Sequence, residues 1–190
     1  MRAIARTRAR AVFVALAMAC AVSWGTACAR RSGGNADAPV VDERLMAWLS
    51  RARALHHEAD LLEERGDLAG ATKALERALE STPSSAIEGA EVVADTRARL
   101  AELRGRMGDV ERALRDVDEG LRLVPGPSYY RGHLLEVRGT LFEQRAKSAT
   151  ASGDDAAAKA AKESAMASYE EAVAVQEKVI ASGTSDGGAR

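Results

Sequence analysis

The chain has 190 residues, 46% hydrophobic but only 4% aromatic, with 27 basic against 28 acidic side chains. That length allows one or two domains. An apolar fraction made mostly of Ala points away from a β core and toward close-packed helices, because Ala is the best helix former and a poor strand former.

Residues 1–28 form a targeting segment rather than part of the fold. Arg2, Arg6, Arg8 and Arg10 give a positive start, and Ala11 to Ala27 is uncharged and largely apolar. The apolar run is short and Ala-rich for a membrane span, which needs about 20 strongly apolar residues. Cys20 and Cys28 both lie here, so the remaining chain keeps one Cys at most and a disulfide framework is excluded. Cys28 follows Gly25-Thr26-Ala27, small residues suited to a signal peptidase. This resembles a bacterial lipoprotein signal, in which Cys28 would be lipidated and become the first mature residue. Gly25 stands where that signal usually has Leu. Simple secretion with cleavage near Ala27 or Ala29, and an uncleaved anchor, are the alternatives. Loss of the four arginines takes the 27 basic residues to 23 against 28 acidic, a net charge of −5. Such a body lacks the basic face that neutralises phosphate, and nucleic acid is not an expected partner.

Residues 29–41 read as a flexible tether. Ala29 to Ala38 is small, polar and aperiodic, and ten such residues span very roughly 17 Å. The helical body is expected over 42–182. Leu45, Trp48, Leu49, Ala52, Leu55, Ala59 and Leu62 recur every three or four residues, one face of a helix from Asp42 to about Arg65. A second helix is expected from Asp67 to about Ser81, ended by Pro83. Ser85 and Glu88 form a capping-box pattern that opens a third helix to about Met107. Its arginine run, Arg97–Arg106, is interrupted by Glu102 and reads as a solvated face. A fourth helix spans about Val110 to Val124. Pro125-Gly126-Pro127 then breaks the chain, Ser128 caps a fifth helix, and a long Ala-rich sixth helix runs from Asp155 to about Ala181. Residues 183–190 read as a disordered tail.

Within this body a spacing recurs after about 42 residues. Gly66-Asp67, Ala71, Leu75, Ala78 and Pro83 map on Gly108-Asp109, Ala113, Val117, Gly120 and Pro125, and Ala59 maps on Ala101. Gly ends a helix in the left-handed region, and Asp caps the next one. Ala or Gly lets two helices cross at the short end of the roughly 8–10 Å range. Gly153-Asp154 repeats the turn, with Gly139 in the place of Ala59, and Ala165, Tyr169 and Ala172 keep the second-helix spacing. These residues resemble the tetratricopeptide repeat, a helix–turn–helix unit of about 34 residues. Leu55 and Leu62 stand where that family often has Trp and Tyr, and Arg97 and Arg104 stand there in the second unit. The resemblance implies an all-α superhelix, a solenoid of about three antiparallel helix pairs.

Little in the chain points to chemistry. His56 and Asp60 share a helix face, but two ligands are too few for zinc. No phosphate-binding loop or nucleophile elbow occurs. No enzyme, cofactor, metal or small-molecule substrate is expected. The resemblance implies instead a groove for a protein or peptide partner, lined by the first helices of successive units. On this chain the groove residues are Arg53, His56, Asp60, Glu63, Asp95, Arg99, Glu102, His133 and Glu136. Asp60, Asp95 and Glu102 would repel a carboxylate terminus, so a partner with basic or apolar side chains fits better. The expected role is a scaffold or adaptor held in the cell envelope, with the membrane reached through a lipid at Cys28 and the periplasmic side of the outer membrane as its place. The alternative is a soluble secreted or periplasmic chaperone or regulator without an anchor.

Overall fold

The computed structural model describes residues 42–80 and 87–185. The expected targeting segment with Cys28, the expected tether, Pro83, the side chains of the expected Ser85–Glu88 capping box and the last five residues lie outside them. The described chain is all-helical, without strands. Its elements are α1 (Glu43–Glu64), α2 (Leu68–Ala78), α3 (Ile87–Arg106), α4 (Val110–Leu123), α5 (Tyr129–Ala151) and α6 (Asp155–Ser185).

The three tight turns are built alike. Gly66, Gly108 and Gly153 have φ of 77°, 86° and 78°, the left-handed region that glycine enters without a Cβ clash. In each, the glycine N–H and the following Asp N–H return to carbonyls of the last turn: Gly66 to Glu63 at 2.8 Å and Asp67 to Leu62 at 2.9 Å in the first. That is the Schellman arrangement. The aspartate then opens the next helix. Asp67, Asp109 and Asp154 accept from the N–H groups of Gly70, Arg112 and Ala157 at 2.8, 3.2 and 2.9 Å. Ser128 does the same for α5, accepting from Arg131 N–H at 3.1 Å.

Each turn returns the chain antiparallel. Arg51 reaches Glu80 while Glu58, further along α1, reaches Arg77, nearer the start of α2. The pairs α1–α2, α3–α4 and α5–α6 form this way, and α3 and α5 bind each pair to its neighbour. First helices run parallel to one another: His56 meets Thr96 and Glu63 meets Arg106.

The recurring small residues occupy the crossings. Ala59, Ala71, Ala101 and Ala113 are wholly buried, as are the seam residues Leu75 and Val117. Each buried Leu or Val contributes roughly 1.5–3 kcal/mol relative to an exposed one. In the third pair Gly139 faces the Tyr169 ring, where an added Cβ would stand 2.5 Å from the ring edge. A larger seam residue is met by a smaller crossing residue.

Three expectations change. α2 ends at Ala78 instead of Ser81, because Arg51 of α1 takes the terminal carbonyls of Arg77 and Glu80 at 2.8 and 3.2 Å. α6 continues to Ser185, past Ala181 and into the expected tail. The Arg97–Arg106 run is not a solvated face. Arg104 is 4% exposed and pairs with the buried Asp116, and half-buried Arg97 bonds the same carboxylate at 2.9 Å. Arg104 thus sets a buried ion pair at the place where the tetratricopeptide repeats that the chain resembles often have Tyr.

Candidate partner groove

Parallel α1, α3 and α5 bring most of the expected groove residues onto one face. His56 Nε2 lies 2.8 Å from Thr96 Oγ1. That hydroxyl also lies 2.7 Å from the Val92 carbonyl, which only accepts; with its one proton given there, it accepts from the Nε2–H tautomer of His56. Burial holds the His56 pKa below its ordinary value; Asp95 and Asp60 oppose the shift, while Arg99 and His57 add to it.

Arg99 ties α3 to α1. Its two terminal nitrogens donate to Asp60 Oδ1 at 2.7 Å and Glu63 Oε1 at 2.6 Å. The hydrogen bond from Arg99 holds Asp60 below the usual carboxylate range. Burial works against the Arg99 charge, but its bonds to Asp60 and Glu63 outweigh that and raise its pKa. The second oxygen of Glu63 accepts from Arg106 at 2.6 Å.

Beyond this knot a cavity of about 380 Å³ opens between α3 and α5, edged by Glu63, Arg99, Glu102, His133, Glu136 and Gln144. Glu102 lies 4.0 Å from His133. Desolvation raises the Glu102 pKa, with the charges of His133 and Arg99 opposing. His133 stacks beside the exposed Tyr129, centroids 6.2 Å apart. Glu136 is exposed, and no ion pair holds it among the described residues. Gln144 Oε1 is buried without a donor.

Asp95 is half-buried and acts on this face through its field, on His56, Glu102 and Tyr130. Arg53 is exposed one turn before His56 and does not reach the cavity. Sequence reasoning missed Arg106, Thr140 and Gln144, which also line it. A signal existed for the first two: Arg106 is seven residues after Arg99 and Thr140 seven after His133, the same face two turns on.

A second cavity, about 340 Å³, lies behind α3 among α2 and α4, lined by Glu76, Arg97, Arg104, Arg112, Asp116 and Glu119 among others. Most of its charges are paired across it: Arg97 with Asp116 and Glu119, Arg104 with Asp116 and Glu76, Arg112 with Glu76. Among the described residues no three His, Cys, Asp or Glu side chains gather as metal ligands, and no helix is long and apolar enough to cross a membrane. Set against family models, curated proteins and solved structures, the chain finds no match.

Proposed function

We propose that the chain is a non-enzymatic interaction scaffold of tetratricopeptide type, which holds a protein or peptide partner along the α1–α3–α5 face and is tethered to a bacterial envelope by a lipid on Cys28. The observation that carries this is the imbalance in the cavity between α3 and α5. Its arginines, Arg99 and Arg106, are already bonded to Asp60 and Glu63. Glu102 and Glu136 have no guanidinium partner among the described residues. The charged groups of the cavity without a guanidinium partner are therefore carboxylates, which favours a partner that brings Lys or Arg.

The test is recovery of partners from envelope extracts by wild type and by Glu102→Lys/Glu136→Lys. Glu136 is exposed and the Glu102 side chain is 46% exposed, so both have room for the longer side chain. Loss of specific partners is expected, and an unchanged set of captured proteins refutes the groove. Mass spectrometry of the mature N-terminus decides the tether separately. Diacyl- or triacyl-Cys28 supports it, whereas an unmodified start near Ala29 leaves a soluble periplasmic chaperone or regulator.

A further inference from the structure

The faces that join one helix pair to the next follow a register that can be counted from the small residue at each crossing. In the second helices, one place after Ala71, Ala113 and Ala165 stand Thr72, Leu114 and Met166, and eight places after stand Leu79, Leu121 and Val173. Thr72 and Leu114 are buried. Leu79 and Leu121 are half-buried in clusters that include Leu100 and Leu103 of α3 or Leu134 and Leu135 of α5. Met166 and Val173 hold the same places on α6 but are 60% and 58% exposed.

The start of the stack shows the converse. Two places after Ala59, Ala101 and Gly139 stand Leu61, Leu103 and Leu141. Leu103 and Leu141 are each 1% exposed and packed with the preceding pair, whereas Leu61 is 54% exposed.

Charges follow the same register. Glu111, two places before Ala113, bonds Arg145, six places after Gly139, at 3.1 Å. The equivalents at the two ends are Glu163 and Arg65, both exposed. Glu163 meets only Lys159 of its own helix, at 4.0 Å, and Arg65 has no ion pair among the described residues. The joint between the first two pairs holds Ala69 and Met107 at these places, so the pairing is a feature of some joints and not of all.

A stack needs polar outer faces where it stops. This one keeps an apolar joint residue at both ends, and the two ends are complementary in the register that already joins its own units. We propose that the chain stacks head to tail on a second copy of itself, the α1 face around Leu61 of one copy seated on the α6 face around Met166 and Val173 of the other, with Arg65 opposite Glu163. A two-fold contact of α6 with α6 is disfavoured, since it sets the row of Glu163, Glu170 and Glu177 against its own copy. Head-to-tail contact leaves one face open at each end, so association continues into chains or rings. The inference does not depend on the groove, which lies on other residues.

The test is sedimentation velocity of the mature chain from about 1 μM to about 1 mM, in detergent so that no lipid drives assembly. Wild type is expected to grow in steps of one chain. Leu61→Glu blocks one end and Met166→Glu/Val173→Glu the other, and each variant alone should associate at least about tenfold more weakly. Mixed, the two variants should give a one-to-one dimer and nothing larger, because each keeps the end that the other lost. Circular dichroism melts establish that both variants are folded. A wild type that stays monomeric throughout overturns the proposal. So does an associating wild type whose two blocked variants fail to pair when mixed.

Discussion

Replacing Asp116 by Ala tests whether charge inside the stack holds α2, α3 and α4 together. Asp116 is 3% exposed; one oxygen accepts from Arg97 at 2.9 Å and the other from Arg104. Arg104 is itself buried, bonds Glu76 at 2.5 Å, and leaves its Nε without an acceptor. Taking away the Asp116 carboxylate strands a buried guanidinium on one partner that is open to solvent. Breaking a buried pair costs about 3–5 kcal/mol, and the surviving bond to Glu76 places this case at the lower end, near 3 kcal/mol. For a chain of this size each kcal/mol moves Tm by roughly 2–4 °C, so a fall of about 6–12 °C is expected. The companion Arg104→Met/Asp116→Val removes this pair at nearly the same total volume and leaves half-buried Arg97 bonded to Glu119. It should lie within about 1 kcal/mol of wild type or above it, since exchange of a buried ion pair for apolar side chains is often neutral or stabilising. Thermal and urea unfolding followed by far-UV circular dichroism measure both. A single variant within about 0.5 kcal/mol of wild type, or a double variant as weak as the single, refutes the electrostatic account.

Two further outcomes follow from the same geometry. Burial holds folded His56 below its unfolded value of 6.5, so the unfolded chain takes the proton first. The stability this group supplies is full above about pH 6.5 and is lost as pH falls toward the folded value; His56→Gln, which keeps a donor for Thr96, should flatten the slope of Tm between pH 7 and 5, and parallel curves would contradict it. Gly139→Val drives side-chain atoms into the Tyr169 ring, where even a Cβ stands at 2.5 Å, and should cost about 2–3 kcal/mol by overpacking. Gly139→Ala with Tyr169→Leu installs the combination found at Ala59 and Leu75 and should stay within about 1 kcal/mol of wild type in urea unfolding; equal losses in both would show that ring and glycine are not matched.

What could be read from the sequence was whatever a few consecutive residues decide. Gly66-Asp67, Gly108-Asp109 and Gly153-Asp154 declare their turns because a left-handed glycine and an N-cap carboxylate act within one helical turn. The buried small residues at 59, 71, 101 and 113 were legible because their interval repeats. Helix ends were not legible where another helix settles them. Nothing near Ala78 announces that Arg51, 26 residues before Arg77, will take the terminal carbonyls of α2. The length of α6 was hidden for a related reason: Ser182 and Gly183 are poor helix formers, and only the structure shows the helix carried through them to Ser185.

The arginines of α3 show why the groove was only half legible. Arg97, Arg99, Arg104 and Arg106 look alike in the sequence, yet their fates differ by the helix each one faces. Arg99 and Arg106 reach Asp60 and Glu63 of α1, Arg97 reaches Asp116 and Glu119 of α4, and Arg104 bridges Asp116 to Glu76 of α2. The four arginines of the middle helix strap it to carboxylates of α1, α2 and α4. This suits a stack whose crossings are Ala and Gly, because small residues bring backbones close but bury little area, and partly buried charge-assisted bonds add fixed geometry at the joint. The consequence reaches the surface. With these four cations bonded to carboxylates of neighbouring helices, the cavity between α3 and α5 retains Glu102 and Glu136 as carboxylates without a guanidinium partner among the described residues, although α3 carries four arginines. Arg99, a recognition candidate by position, is fastened to α1 by two bonds, whereas Glu102, the interruption in the basic run, faces the cavity 4.0 Å from His133.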